Sequence, residues 1–229
     1  MPYRRLPKTD LARLTALRTA IQQGENDGIN NPIVPLKLQH EAKTLLSQYE
    51  QALFIYKQSS SNHQSSISKS RENIKMARLY ISHFIQVLNM SIARGELKKN
   101  CKTFYELDPD GNNVPNLTSE KSLLKWGERI IKGETERLKS GGAPIYNPNI
   151  AKVGVYFDIF KENQQAQKIY QLNTGRYSDA VKKMREKCDE LIVEIWNEVE
   201  AQFIDLSWDE RMTACKKYGL IYYYRRNEK

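Results

Sequence analysis

Residues 36 to 94 run for 59 positions without a glycine or a proline. A stretch that long without the two residues that break helices constrains the chain to long helices. The apolar positions agree. Leu38, Ala42, Leu45, Tyr49, Ala52 and Tyr56 recur at spacings of 4, 3, 4, 3 and 4. Farther on, Ile67, Ser70, Ile74, Ala77, Ile81, Phe84 and Leu88 recur at 3, 4, 3, 4, 3 and 4. That alternation is the heptad seam of packed or supercoiled helices, a coiled-coil pattern. Between the two runs lies a segment, 59–70, with seven serines in twelve residues. Serine competes for its own backbone, so a hairpin bend fits there. One continuous rod of about 88 Å, at 1.5 Å per residue, is the other possibility.

A second region repeats the layout. Asn147-Pro148 offers a cap followed by proline in the first turn, and residues 149 to 206 then contain no proline and only Gly154 and Gly175. Ile150, Val153, Phe157 and Phe160 open it. Tyr177, Val181, Met184, Cys188, Leu191, Ile195 and Val199 close it with another helical stripe. Its middle, Glu162 to Gln167, is polar, and Asn173-Thr-Gly175 offers a turn.

Shorter elements complete the chain. Thr9 or Asp10 caps a first helix whose apolar face is Leu11, Leu14, Leu17, Ala20 and Ile21, and Gly24 stops it. Residues 95–117 read as loop, with Asp108-Pro-Asp-Gly-Asn-Asn113 as its turn. A helix spans about Thr118 to Ser140, although Gly127 and Gly133 weaken its pattern. Ser207-Trp-Asp-Glu210 is a capping box for a last helix ending at Gly219. The tail from Leu220 to Arg226 is aromatic and then basic and reads as extended. The expected fold is all-α: an elongated antiparallel bundle of two long αα-hairpins plus shorter helices, with an extended C-terminal tail. It forms a single domain over 1–229: an N-terminal arm and helix (1–35), a first hairpin (36–94), a loop and middle helix (95–147), a second hairpin (148–206), and a capping helix with a Tyr/Arg tail (207–229).

The opening Pro2-Tyr-Arg-Arg-Leu-Pro-Lys-Thr-Asp10 and the internal Ile81-Ser-His-Phe-Ile-Gln-Val-Leu-Asn89 resemble a family of helical proteins of this length. Trp126-Gly-Glu-Arg129 and the Tyr-rich tail share in the resemblance. It implies an all-helical fold and transfers no activity, cofactor or binding residue.

Most catalytic chemistries find no foothold. Di-iron bundles need Glu-x-x-His pairs, and the residues three before His40, His63 and His83 are Lys37, Ser60 and Tyr80. His83, beside Phe84, reads as a hydrogen-bonded core or boundary histidine. Cys101, Cys188 and Cys215 are widely spaced and form no CxxC, which suits a reducing, cytoplasmic setting. Cys188 sits in the heptad stripe as a small hydrophobe. Cys215 has Lys216 and Lys217 beside it, which could lower its pKa. Counted from Asp108, Gly111 falls at position 4 and Ser119 at position 12, against the EF-hand's Gly at 6 and Glu at 12, so this is a turn. No phosphate-cradling glycine motif occurs, and no cofactor or small-molecule substrate is expected. No apolar run approaches the roughly 18 residues of a membrane span. No apolar segment follows Arg4 and Arg5 to make a secretion signal.

Charge carries more information. The chain has 36 Lys+Arg against 27 Asp+Glu, a net +9. Residues 36–94 carry +5 and residues 148–206 carry −2, so the two long elements could attract each other. Both termini join tyrosine to paired arginine: Tyr3, Arg4 and Arg5 at one end, Tyr222, Tyr223, Tyr224, Arg225 and Arg226 at the other. Stacking rings and phosphate-bridging arginines are the chemistry of single-strand contact. The plainer reading is that the tyrosines pin the tail to the bundle while the arginines stay in water, with a two-stranded pairing of the termini as a variant. The expected function is a non-enzymatic helical interaction or scaffold protein that engages a protein partner or itself. A nucleic-acid-binding module using the basic first hairpin and the Tyr/Arg termini is the alternative. An enzyme built around Cys215 or the 95–117 loop is a third reading.

Overall fold

A computed structural model describes residues 3–28 and 32–224. The elements in chain order are β1 (Tyr3–Arg4), α1 (Asp10–Asp27), α2 (Leu36–Ala93), a 3-10 helix (Lys99–Tyr105), α3 (Glu120–Lys139), α4 (Ile150–Gln202), α5 (Trp208–Lys216) and β2 (Tyr222–Tyr223). The fold is an all-α bundle in which the long helices pack against each other.

Neither hairpin bend forms. α2 stays helical through 59–70, and α4 stays helical through Asn173-Thr-Gly175. Two of the seven serines find partners without leaving the helix. The Ser68 hydroxyl donates back to the Gln64 carbonyl at 3.4 Å, and the Ser59 hydroxyl meets Thr174 Oγ1 at 3.0 Å. Local back-bonding of this kind removes the advantage a turn would offer. Asn147-Pro148 does not start α4 either. The cap is Asn149, whose Oδ1 accepts from the Lys152 N–H at 2.8 Å.

The described residues form two compact units, one within 1–60 and 173–229, the other over 61–172. In the first, α2 and α4 run antiparallel, and the expected stripe residues Leu38, Ala42, Leu45 and Tyr49 face Val181, Cys188, Leu191, Ile195 and Val199 across the core. α1 closes that core with Leu17, Ala20 and Ile21. Thr9 caps α1, its Oγ1 accepting from the Ala12 N–H at 3.2 Å. Two details of α1 differ from expectation. Leu11 is 71% exposed rather than on the buried face. Gly24 lies buried inside the helix, where a Cβ would come within 2.9 Å of the Gln39 side chain. The helix ends instead at Gly28, with φ of 76°.

The second unit packs Ala77, Ile81, Phe84 and Leu88 of α2 against Val153, Phe157 and Phe160 of α4 and Leu123 and Ile130 of α3. The 95–117 segment is more ordered than a loop. Its 3-10 helix buries Tyr105 and Lys102, and the Lys102 ammonium donates to the Gly111 carbonyl at 2.7 Å and to Asn112 Oδ1 at 3.2 Å. The residues 99–105 carry no apolar period, because a lysine and a tyrosine anchor them. Asp108 forms the expected turn, accepting from the Asp110 N–H at 3.1 Å. His83, expected in the core or at its boundary, is exposed.

Candidate functional site

The termini meet in the first unit. β1 and β2 pair antiparallel, Tyr3 opposite Tyr223 and Arg4 opposite Tyr222, and the Arg5 N–H donates to the Ile221 carbonyl at 2.7 Å. The capping box of α5 is in place, with Glu210 Oε2 accepting from the Ser207 N–H at 3.3 Å. Past α5, Gly219 turns the chain with φ of 88° toward β2.

This pairing gives the candidate contact residues different fates. Glu200 of α4 takes two of them. The Arg4 guanidinium donates to Glu200 Oε2 at 3.1 Å and to Asn197 Oδ1 at 2.8 Å, and lies 5.9 Å from the Trp196 ring. The Tyr222 hydroxyl donates to Glu200 Oε1 at 2.6 Å. Burial first, then that bond, pushes the Tyr222 pKa up, so the phenol stays protonated. Tyr3 and Tyr223 set their rings 6.0 Å apart. The Arg5 side chain is exposed, as are Tyr223 and Tyr224. Arg225 and Arg226 lie outside the described residues.

Beside the paired termini runs an apolar groove enclosing about 400 Å³. It is lined by the arm from Arg5 to Thr9, by α1, by Gly219 and Ile221, and by Trp196 of α4. The floor on α1 is small: Ala12, Thr15, Ala16 and Thr19, one helical face at spacings of 3, 1 and 3. Large apolar groups stand exposed along it, Leu6 at 45%, Leu11 at 71% and Ile221 at 55%. The sequence pattern had placed Leu11 inside. The signal that could have found the groove is this second, small-residue face of α1.

The other expected sites carry less. Cys215 is buried, and burial raises its pKa; the neighbouring lysines do not lower it. Cys188 is pushed up to about 11 by the same cause. Among the described residues, no group of three or more His, Cys, Asp or Glu is arranged to hold a metal ion, and no helix is long and apolar enough to cross a membrane. The charge difference between the long elements is not expressed as ion pairs between α2 and α4 among the described residues. In the first unit the pairs run through α1 instead: Arg13 to Asp189, Asp10 to Arg185, Arg18 to Glu50 and Glu25 to Lys43.

No family model, curated protein or solved structure matches the chain, so the chemistry of the site is read from its own residues.

Proposed function

We propose that the protein is a non-enzymatic helical interaction protein that captures a protein partner at the groove beside its paired termini. The observation that carries this reading is the convergence of Leu6, Leu11 and Ile221, all exposed, on one apolar groove. Contiguous exposed apolar surface rimmed by polar residues is characteristic of interaction sites. The three free cysteines support a reducing, cytoplasmic setting.

The test compares wild type with Leu11→Gln, a change at an exposed position that leaves the core alone. Purified tagged protein is incubated with nuclease-treated lysate, and retained proteins are quantified. Loss of a specific, stoichiometric partner in Leu11→Gln supports the reading. Equal recovery by both proteins, or none by wild type, overturns it.

Nucleic-acid binding is the second reading, and exposed Arg5, Tyr223 and Tyr224 favour it. Against it, Arg4 and Tyr222 are already engaged by Glu200. Anisotropy titrations with short RNA and DNA at 50 and 200 mM salt test it, because released counterions make phosphate binding fall steeply with salt.

A further inference from the structure

We infer that the groove takes an acidic amphipathic helix, its apolar face on α1 and its carboxylates on Arg5 and Lys8. The inference rests on the interaction reading and adds the chemistry of the partner.

The first argument is charge. Among the described residues, Arg5 and Lys8 are the only charged side chains lining the groove. Both are exposed, and neither holds a carboxylate among the described residues, whereas Arg4, Arg13, Arg18 and Arg185 of the same unit each do. An apolar groove rimmed by two cations that no described carboxylate pairs favours a partner with an anionic flank and penalises a cationic one.

The second argument is shape. Residues 12, 15, 16 and 19 form one stripe on α1, and small side chains there let a second helix approach closely. From Leu11 to Thr19 the stripe extends about 12 Å at 1.5 Å per residue, just over two turns of an occupant. Leu6, Leu11 and Ile221 line the same groove and offer apolar contacts for the i, i+3 or i+4, and i+7 face of such a helix. Leu6, Leu11 and Ile221 are each 45% or more exposed, which suits a helix laid on the surface. A small amphiphile would favour a pocket that encloses most of it.

The experiment uses fluorescein-labelled 18-residue helical peptides at 50 mM salt, followed by anisotropy. One carries a leucine face flanked by glutamates, the second has lysine for each glutamate, and the third is a scramble of the first. Wild type should bind the acidic peptide at least ten-fold more tightly than the other two. Leu11→Gln should weaken that binding ten-fold or more. Arg5→Glu with Lys8→Glu should reverse the preference between the acidic and basic peptides, and circular dichroism checks that each variant is folded.

Equal binding of scramble and acidic peptide overturns the inference, as does an acidic peptide that binds Leu11→Gln like wild type. Tighter, Leu11-dependent binding of the lysine peptide overturns the acidic class and leaves the groove as the interaction site. Leu11-dependent binding of oleate with no peptide binding makes the occupant a small anionic amphiphile and overturns the helix. A wild-type dimer in sedimentation that Leu11→Gln dissolves makes the occupant a second copy, with the same consequence. Peptides and lysate partners alike indifferent to Leu11 remove the groove reading together with the inference.

Discussion

The Tyr49 hydroxyl donates to Asp10 Oδ1 at 2.6 Å from a side chain that is itself fully buried. Arg185 holds the same carboxylate with two bonds, at 2.7 and 2.8 Å. One carboxylate in the first turn of α1 therefore fastens α1 to α2 and to α4 in the first unit. The hydrogen bonds from Arg185, together with the one from Tyr49, outweigh burial and bring the Asp10 pKa down to about 2 from 3.8.

A carboxyl whose pKa is lower in the folded state stabilises it above its unfolded value and loses that stabilisation as pH falls. The contribution is complete above about pH 4 and disappears between there and about pH 2. Asp10 is partly exposed, so solvent screening reduces it to about 1 kcal/mol. Urea unfolding of wild type and Asp10→Asn at pH 6 and pH 2.5 measures it. Wild type should be the more stable by about that amount at pH 6, and most of the gap should be lost at pH 2.5. A gap of the same size at both values contradicts the assignment.

In the second unit the corresponding anchor is fully enclosed. Arg137 donates to Glu134 through Nε at 2.7 Å and through a terminal nitrogen at 2.8 Å, and Tyr105 also donates to Glu134. All three are buried. Removing one member of a buried pair strands the other charge, at a cost of about 3–5 kcal/mol. Glu134→Ala should lower stability by that order in urea. Glu134→Ala combined with Arg137→Met should cost less than Glu134→Ala alone, because the stranded guanidinium is gone. A double variant that costs as much as Glu134→Ala or more would show that no stranded guanidinium drives the loss.

Helical periodicity made the core legible before any coordinates. Ala42, Tyr49, Ala77, Ile81, Phe84, Val181, Cys188 and Val199, all read from 3-4 spacing, are buried. The serine run misled because turn preference is local, whereas the helix is held by the stripes on either side of it. The 3-10 helix was invisible because Lys102 is buried through its bonds to Gly111 and Asn112, which no hydrophobic pattern records. The groove escaped for a related reason. Leu11 fits the same helical period as Leu14 and Leu17, and only the packing of α1 against α2 and α4 determines which edge of that face stays open. The pairing of the termini is one variant that the Tyr/Arg ends allow, whereas nothing in the pattern marks Glu200, which takes both Arg4 and Tyr222.

Thiol chemistry offers a separate check. Burial raises the pKa of Cys101, Cys188 and Cys215 alike, and the thiolate is the reactive form. All three should therefore react slowly with a mild thiol reagent at pH 7.5. Cys101, only half-buried, should be labelled first, with Cys188 and Cys215 reacting fully only in denaturant. Mass spectrometry of timed aliquots gives the order. Fast labelling of Cys215 alone would contradict this and would restore the enzyme reading built on it.

Two glycines of the second unit should respond oppositely to the same substitution. Gly127 is buried in α3, and a Cβ there would sit 2.2 Å from the Phe157 ring, far inside contact distance. Phe157 is itself 1% exposed and has little room to yield. Gly127→Ala should therefore cost about 1–3 kcal/mol through overpacking, more than offsetting alanine's better helix propensity. Gly154, inside α4, has nothing within 4 Å of its Cβ position. Gly154→Ala should raise stability by up to about 1 kcal/mol. Adding Phe157→Leu separates steric conflict from a backbone requirement. It should relieve the Gly127→Ala penalty, so that the double variant costs less than the sum of the single ones. A sum that is simply additive in urea would mean that α3 needs glycine at 127 for its backbone rather than for the ring beside it.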